Sequence, residues 1–238
     1  MPAWLGQGLL GSEQLGWLLQ GLVLTITLSA AVILTGLILG VLLGIARQQG
    51  HWPWLALPHN ALRNTPLLVQ VLFWYFAVGG MLPEAAKIWL NTPHVLWQWQ
   101  DLSLGWPSFE FLAAWWSLSL YAMAYMAEDV RSGLNAVPRG QWEAAQAHGL
   151  RPWQVLRWII LPQAWQIARI PLLGQGLNTI KNTSLTMAIG VMELSYRSRQ
   201  VDAQTLLTFQ AFAVATLLYV LLNLLTQRWA QPRLEAKR

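Results

Sequence analysis

The stretch EAAQAHGLRPWQVLRWIILPQA, residues 143–164, holds a short and largely polar helix with a glycine stop, inside a chain that is otherwise strongly apolar. The run Gln141 to His148 predicts about two helical turns. Gly149 stands where a left-handed residue ends a helix, and Pro152 stands where a new helix begins. The stretch therefore predicts a helix, a sharp turn and a second helix that feeds an apolar segment.

The surface of this short helix fits two alternatives. Few of its side chains are large, because alanines stand at positions 144, 145 and 147, and such a surface allows another protein to approach closely. The tryptophans Trp142 and Trp153 would instead suit a loop helix that lies on a membrane, since tryptophan favours the headgroup level.

Composition points to an integral membrane protein. Of the 238 residues, 55% are hydrophobic and 11% are charged, whereas soluble domains carry about 25% charged residues. The absence of cysteine excludes disulfides and thiolate metal sites. The net charge of +5 is not gathered into a basic face, so we expect no nucleic-acid partner.

Five stretches are apolar and near the length of about 20 residues that a bilayer core requires. We predict about five spans, at about residues 16–46, 66–82, 109–127, 160–194 and 205–227. The fourth is expected to be broken by proline and glycine, which membrane proteins tolerate where the irregular backbone is buried or lines a cavity. The intervening Trp-rich residues 83–108 are expected to form an interfacial loop.

Glycines recur at every fourth residue of the first span, at Gly36, Gly40 and Gly44. This small-xxx-small pattern favours close packing against another helix, although glycine is also tolerated in membrane helices without such a role.

The basic residues predict the orientation of the spans. The link after the first span, the block at residues 128–157 and the C-terminal tail are rich in lysine and arginine, and by the positive-inside rule they lie in the cytoplasm. The N-terminus is then outside and the C-terminus inside. The cytoplasmic cations are Arg47, Arg63, Arg131, Arg139, Arg151, Arg157, Arg228, Arg233, Lys237 and Arg238. The charged residues on the outer side are Glu84, Lys87, Asp101, Glu110, Arg197, Arg199 and Asp202, of which Arg197 and Arg199 are a mild exception to the rule.

Two groups of charges need separate explanations. Glu128, Asp129 and Arg131 fit a local cluster at the inner end of the third span, with Arg131 paired to Glu128 at i+3, or else a substrate role. Arg169 lies near the inner end of the fourth span, where we expect its side chain to snorkel to the interface.

Catalytic and metal motifs are missing from the sequence. The phosphate-loop pattern G-x-x-x-x-G-K-[ST] does not occur, so any ATPase must be a separate protein and this chain is not an enzyme. The histidines His51, His59, His94 and His148 show no paired spacing, and we predict no metal site.

Four ordered blocks resemble the permease subunits of ABC importers, in particular the branch that imports polar amino acids. Glu143-Ala144-Ala145, then Gly149, then LPQA at residues 161–164 resembles the EAA motif of that family. The other blocks are RNTPLLVQ at 63–70, with Asn64 where the family has glycine, YMAEDVRSGLNAVPRGQWEAA at 125–145 and KNTSLTMAIGVMEL at 181–194. The Trp-rich stretch is not part of the family pattern.

The resemblance implies a fold and a coupling role. The fold is an all-α integral membrane protein with the type I ABC-importer (MetI-like) architecture, a single permease domain over residues 1–238 and a cytoplasmic coupling loop at about 128–157. Glu143, Ala144, Ala145 and Gly149 would form the coupling helix that sits in a cleft of the ATP-binding subunit.

The resemblance also implies partners. They are two copies of an ATP-binding ABC subunit, a second permease that is identical or related, an extracytoplasmic solute-binding protein and the lipid bilayer. ATP and Mg²⁺ would be bound by the ATPase, and no cofactor by this chain. The location would be the bacterial cytoplasmic (inner) membrane, with several spans.

Residues of the last block lie in the broken fourth region, where hydroxyls and backbone groups can line a path. Lys181, Thr183, Ser184 and Glu193 are the candidates, either for direct contact with an amino acid or for gating. Other functions stay open at this point: import of an osmoprotectant, an opine or another small solute, ion-coupled secondary transport, and a receptor or scaffold role.

Overall fold

The structure, a computed structural model, describes residues 10–48, 50, 52–99 and 102–235. His51, Asp101, Lys237 and Arg238 lie outside the described residues. Helices make up most of the described chain, and one hairpin interrupts them.

The described chain forms eleven α-helices, of which some are apolar and others, such as Arg139–Ala147, are largely polar. They are α1 Ser12–Gln48, α2 Ala56–Asn64, α3 Leu67–Leu72, α4 Gly79–Met81, α5 Glu84–Asn91, α6 Phe109–Ala136, α7 Arg139–Ala147, α8 Pro152–Val155, α9 Leu161–Asn182, α10 Leu194–Thr205 and α11 Thr208–Glu235. π-Helical segments cover Phe73–Val78 and Leu156–Ile160, and 3₁₀ segments cover Pro53–Leu55 and Thr183–Ile189.

Membrane-length helices occur at both ends of the described chain. α1 has 37 residues and is about 56 Å long at 1.5 Å per residue, which exceeds the ~30 Å hydrocarbon core of a bilayer. Within the described residues, Ser12–Gln48 and Thr208–Gln231 are the two helices whose length and apolar composition suit a membrane crossing, and Leu67–Met81 is a shorter apolar run. The count of five spans and their orientation stay predictions.

The fourth apolar region differs from the expectation of a segment broken within its middle. α9 continues without interruption from Leu161 to Asn182, with Pro171 inside it. Because Pro171 has no N–H, the helix lacks one backbone hydrogen bond there. The neighbouring backbone hydrogen bonds keep the segment helical. The helix ends later, in the 3₁₀ segment Thr183–Ile189 and at Gly190, whose φ of +89° is left-handed.

The Trp-rich residues 83–108 do not form the loop expected from their prolines. They hold α5 and two antiparallel strands, β1 Val95–Trp99 and β2 Leu102–Gly105, with an irregularity in the register between Val95 and Trp97. Trp89 stacks on His94 with ring centroids 4.5 Å apart and meets Trp106 at 5.3 Å. Aromatic contacts of this kind stabilise a small folded element that a proline count does not predict. The all-α prediction therefore needs this one hairpin added.

Two compact units group the residues of the chain, and four helices contribute to both. The first unit comprises residues 1–32, 65–118 and 180–219, and the second comprises residues 33–64, 119–179 and 220–238. In the first unit the apolar core joins α1, α10 and α11 through Leu18, Leu194, Val201, Ala211 and Ala215.

In the second unit the glycine face of α1 packs tightly on α6. A Cβ on Gly36 would lie 2.9 Å from Ala122 Cβ, one on Gly40 would lie 2.8 Å from Met126 Cβ, and one on Gly44 would lie 2.8 Å from a backbone oxygen of α6. These distances are shorter than carbon atoms tolerate, so the glycines are required for the close approach. The prediction of small-xxx-small packing is confirmed.

Replacing Gly40 with alanine should destabilise the protein by about 1 to 2 kcal/mol, because overpacking a close helix contact forces the backbones apart. The measurement is the apparent unfolding temperature of the purified protein in detergent. Gly16→Ala is the matched control, since Gly16 lies on the same helix with no atom within 4 Å of an added Cβ. An equal unfolding temperature for the two variants would contradict the packing role.

Candidate functional site

The helix–glycine–helix segment predicted from residues 143–164 is formed by α7, a turn and α8. Gly149 has φ +80°, its N–H donates to the carbonyl of Gln146 at 2.9 Å, and the N–H of Leu150 donates to the carbonyl of Ala145 at 3.3 Å. This bond pair is the Schellman motif that satisfies the last carbonyls of a helix. Pro152 then begins α8, as predicted, so the sharp turn is confirmed.

One face of α7 is open and the other packs on the chain. Glu143, Ala144 and Gly149 are exposed, whereas Ala145 is only 5% exposed. The expectation that Ala145 adds to the exposed small-residue surface is wrong, because α7 turns this side chain toward its own protein. The coupling role of the four residues stays a prediction, with Ala145 supporting the helix from behind.

Gln163 of the LPQA block connects α7 to α9. Its side-chain amide donates to the carbonyl of Ile159 at 3.0 Å and to the side-chain oxygen of Gln141 at 3.4 Å. Gln141 belongs to α7, so a displacement of the exposed helix acts directly on the start of α9.

Gly133 then joins α9 to α6. A Cβ on Gly133 would lie 2.7 Å from the carbonyl oxygen of Ala164 and 3.0 Å from Ala168 Cβ. Helices in this close contact move together, because any separation opens a void in a packed interface. Motif residues distant in sequence thereby form a continuous series of contacts from α7 through α9 to α6.

A groove of about 700 Å³ separates the inner face of α7 and α8 from the ends of α1 and α6. Trp142 and Trp153 line it together with Ile45, Gln48 and Leu134.

A cluster of charges surrounds Glu128, just past the predicted third span. Its carboxylate lies 2.6 Å from Arg47 NH1, 3.5 Å from Arg131 NH1 and 3.7 Å from Arg63 NH1. His59 Nε2 is 3.8 Å away. The predicted i+3 pair between Glu128 and Arg131 is confirmed, so a local cluster explains these two charges.

Sequence reasoning missed Arg47, His59 and Arg63 as members of this cluster. Arg63 is the first residue of the RNTPLLVQ block, and Glu128 lies in the next block. Their positions in two family blocks were the sequence signal that the two residues could be in contact. Burial raises the pKa of Glu128, but the hydrogen bond from Arg47 and the charges of Arg47 and Arg131 outweigh it, so this pKa is lowered on balance.

His59 is held as a neutral imidazole within the cluster. Its side chain is 1% exposed, its Nε2 lies 2.8 Å from the carbonyl of Ala124, and its Nδ1 lies 2.8 Å from Arg47 NH1. Arginine can only donate, so Nδ1 accepts and Nε2–H donates. Burial lowers the pKa of His59, and the charge of Arg47 adds to this, although the Ala124 bond opposes it.

Acidification should therefore destabilise the protein through His59. A group with a lowered folded pKa contributes stability above its ordinary value, ~6.5 for histidine, and this contribution is lost as the pH falls through the folded pKa. We expect the apparent unfolding temperature to drop between pH 7.5 and pH 5.5, and His59→Gln to flatten part of this dependence. His148→Gln, at an exposed position, is the control. An unchanged slope in His59→Gln would refute the assignment.

Arg169 does not snorkel. Its side chain is 3% exposed, and within the described residues its Nε has no hydrogen-bond partner. The expectation of an interfacial guanidinium is wrong, because the protein covers the side chain along its whole length. A charge buried in this way is costly.

Two of the four candidate path residues, Thr183 and Glu193, are buried and both hydrogen-bond the side chain of Tyr219. Glu193 is fully buried, and its carboxylate accepts the N–H groups of Ser195 at 3.0 Å and Tyr196 at 2.8 Å and the hydroxyl of Tyr219 at 2.5 Å. These bonds cap the start of α10.

The hydroxyls of Thr183 and Ser184 also donate to carbonyls of their own segment. Thr183 is fully buried and donates to the carbonyl of Ile180 at 2.8 Å, and Ser184 donates to that of Lys181 at 2.7 Å. Lys181 is exposed. Contact of these residues with substrate stays a prediction.

The exposed helix–glycine–helix segment joins α6 to α9, and Ser12–Gln48 and Thr208–Gln231 suit a membrane crossing by length and composition. Residues 36–235 match the family described as the inner membrane component of binding-protein-dependent transport systems. The chain belongs to this family.

Relatives in this family have similar lengths. The chain is 32% identical to the glutamine transport system permease protein GlnP of Escherichia coli (strain K12), over 87% of this chain and 86% of the relative. It is 29% identical to the glutamate/aspartate import permease protein GltJ of the same strain, over 88% and 82%. It is 28% identical to the arginine transport system permease protein ArtQ of Bacillus subtilis (strain 168), over 89% and 88%.

Solved structures agree on the fold. A crystal structure of an amino acid ABC transporter with histidines superposes with a TM-score of 0.77 at 21% identity, over 94% of this chain and 95% of that one. An inward-facing form of the MetNI methionine ABC transporter gives 0.74 at 17% identity, over 95% and 99%. The chain therefore has the fold of an ABC-importer permease.

Proposed function

We propose that this chain forms the membrane path of an ATP-driven, binding-protein-dependent importer of polar amino acids. The observation that carries the proposal is the exposed α7, closed by left-handed Gly149 and hydrogen-bonded through Gln141 to Gln163 at the start of α9. Named relatives that import glutamine, glutamate or aspartate and arginine support the cargo class.

Energy enters through the exposed face of α7. Two copies of a separate ATP-binding subunit bind ATP and Mg²⁺, and each receives one coupling helix with Glu143, Ala144 and Gly149 at the contact. Closure of the ATPase dimer displaces α7, Gln163 transmits the displacement to α9, and the contact at Gly133 carries it to α6. The nucleotide thus biases a two-state equilibrium between inward and outward openings.

The assembly and topology complete the proposal. This chain pairs with a second permease, identical or related, in the bacterial cytoplasmic membrane and receives cargo from an extracytoplasmic binding protein. Five spans with the N-terminus outside place α7 in the cytoplasm, consistent with the arginines that flank it. Lys181 and Ser184, the less buried of the candidates, border the path, while Thr183 and Glu193 shape its wall from inside the protein.

The test is ATP hydrolysis in proteoliposomes that contain this chain, the ATP-binding subunit and the binding protein, with amino acids added one at a time. We expect stimulation by a few polar amino acids. A flat response with the ATPase still bound would exclude amino acids as cargo. A complex that never binds the ATPase would favour an ion-coupled secondary transporter.

A further inference from the structure

A cavity of about 720 Å³ opens within the first unit. Its walls come from the middle of α1, the π-helical segment Phe73–Val78, the end of β2 and the start of α6. The remaining wall is the end of the 3₁₀ segment Thr183–Ile189 and the turn after it. The lining is mostly apolar, and its side chains with polar groups are Thr27, Tyr75, Ser108 and Glu110. A mainly apolar cavity with a few convergent polar groups is the usual form of a small-molecule site.

Glu110 is the charged residue of this lining, and its carboxylate has room for a ligand. Tyr75 OH lies 3.5 Å from Glu110 Oε1, at the outer limit of a hydrogen bond. Within the described residues no lysine, arginine or histidine lies within salt-bridge distance of Glu110. Lys87 lines a neighbouring cavity of about 320 Å³ that shares Tyr75 and Glu110, but its ammonium is 3.8 Å from Glu84.

Tyr75 is presented by an unusual backbone. It stands in the π-helical segment Phe73–Val78, and its ring stacks on Phe109 with centroids 5.4 Å apart. π-Helical turns inside α-helices occur often at functional sites, because the extra residue re-aims a side chain. Here the extra residue directs the Tyr75 hydroxyl toward Glu110.

Ser108 supplies a donor on the same wall. Its Oγ accepts the N–H of Phe111 at 3.3 Å, so its own O–H remains free to donate to a ligand. Thr27 differs, since its hydroxyl already donates to the carbonyl of Val23 at 2.5 Å. The cavity therefore offers one carboxylate acceptor, Glu110, and one hydroxyl donor, Ser108, two positions apart in the chain.

The opposite wall comes from the last family block. Ile189, Gly190, Val191 and Met192 line the cavity, and a Cβ on Gly190 would lie 3.9 Å from Glu110 Cγ. Gly190 therefore lies close to the methylene stem of the Glu110 side chain. The block KNTSLTMAIGVMEL, which suggested a substrate path, thus reaches this cavity. It does so through residues 189–192 and not through the polar candidates Lys181, Thr183, Ser184 and Glu193.

We propose that this cavity binds the α-ammonium and α-carboxylate of the cargo, with Glu110 accepting the ammonium and the Ser108 hydroxyl donating to the carboxylate. This inference rests on the proposed function, and it adds a site and a charge preference to it. The lining has no cation to pair with a second carboxylate, and Glu110 repels one. The cargo is therefore an amino acid with a neutral or positively charged side chain, such as glutamine or arginine. Glutamate and aspartate, whose side chains are negatively charged, are excluded.

The test is equilibrium dialysis of the purified permease–ATPase complex, without binding protein, against radiolabelled L-glutamine, L-arginine and L-glutamate. We expect binding of L-glutamine or L-arginine at least about tenfold tighter than L-glutamate, a ratio worth about 1.4 kcal/mol. Glu110→Gln should weaken that binding by at least about tenfold, the loss of a charge-assisted bond. Glu84→Gln, an exposed carboxylate on α5, should leave it unchanged.

Tyr75→Phe provides a second variant that keeps the ring stacked on Phe109 and removes only the hydroxyl. It should weaken amino-acid binding a few-fold. If the Glu110→Gln variant does not form the permease–ATPase complex, Tyr75→Phe still tests binding in this cavity. Three outcomes would overturn the proposal. They are equal binding by the wild type and both variants, tighter binding of L-glutamate than of the other probes, and no binding of any probe. The proposed importer function is contradicted by a different result, namely that no amino acid stimulates ATP hydrolysis in the wild-type proteoliposomes.

Discussion

Gly149→Asp is expected to reduce uptake by well over about tenfold, because more than about 1.4 kcal/mol of coupling free energy depends on the contact at this turn. No atom of the chain lies within 4 Å of an added Cβ at Gly149, so the substitution meets no clash inside the protein. The loss comes from strain at φ +80°, which is roughly 1 kcal/mol for a non-glycine residue, and from a charged side chain projecting into the ATPase contact.

The measurements are uptake and binding-protein-stimulated ATP hydrolysis in proteoliposomes, together with the amount of variant in the membrane. We expect both activities to be lost while the amount is retained. Gly50→Asp is the matched control, because Gly50 also has a left-handed φ, +70°, and also has open space around it, yet it lies far along the chain from the turn that ends α7. Wild-type uptake in Gly149→Asp, or equal losses in the two variants, would contradict coupling at Gly149.

Glu128→Ala is expected to lower stability by about 2 to 3 kcal/mol, because removing one partner of a partly buried ion pair leaves charges uncompensated. Three guanidinium groups then face one another around the vacated position, those of Arg47, Arg63 and Arg131, and the side chain of Arg47 is only 14% exposed. The partial exposure of Glu128, 27%, keeps the expected value below that of a fully buried pair.

The apparent unfolding temperature of the purified complex measures this effect, and a drop of roughly 5 to 10 °C corresponds to it for a chain of this size. Glu84→Ala is the control, since that carboxylate is 79% exposed and 3.8 Å from Lys87, and exposed pairs contribute ~0–1 kcal/mol. A Glu128→Ala protein as stable as the control would show that the cluster does not hold α1, α2 and α6 together.

Local signals in the sequence predicted the local features well. Gly149 and Pro152 mark a turn because glycine alone is unstrained at positive φ and proline fits the first position of a helix. The spacing of Gly36, Gly40 and Gly44 predicted a packed face because every fourth residue of a helix lies on one side. The failures arose where the sequence signal had a second explanation: Pro171 is compatible with a continuing helix, and the prolines of residues 83–108 are compatible with a helix and a hairpin.

By itself the sequence determined the membrane character, the helix–glycine–helix segment and the family, because each depends on composition or on residues close together in the chain. Tertiary structure alone decided that Arg47, His59 and Arg63 gather on Glu128, that Ala145 faces inward, and that Glu110 shares a cavity with the turn after Ile189. These contacts join residues up to about 80 positions apart. No local periodicity encodes such a pairing, since it is set by how packed helices bring distant faces together.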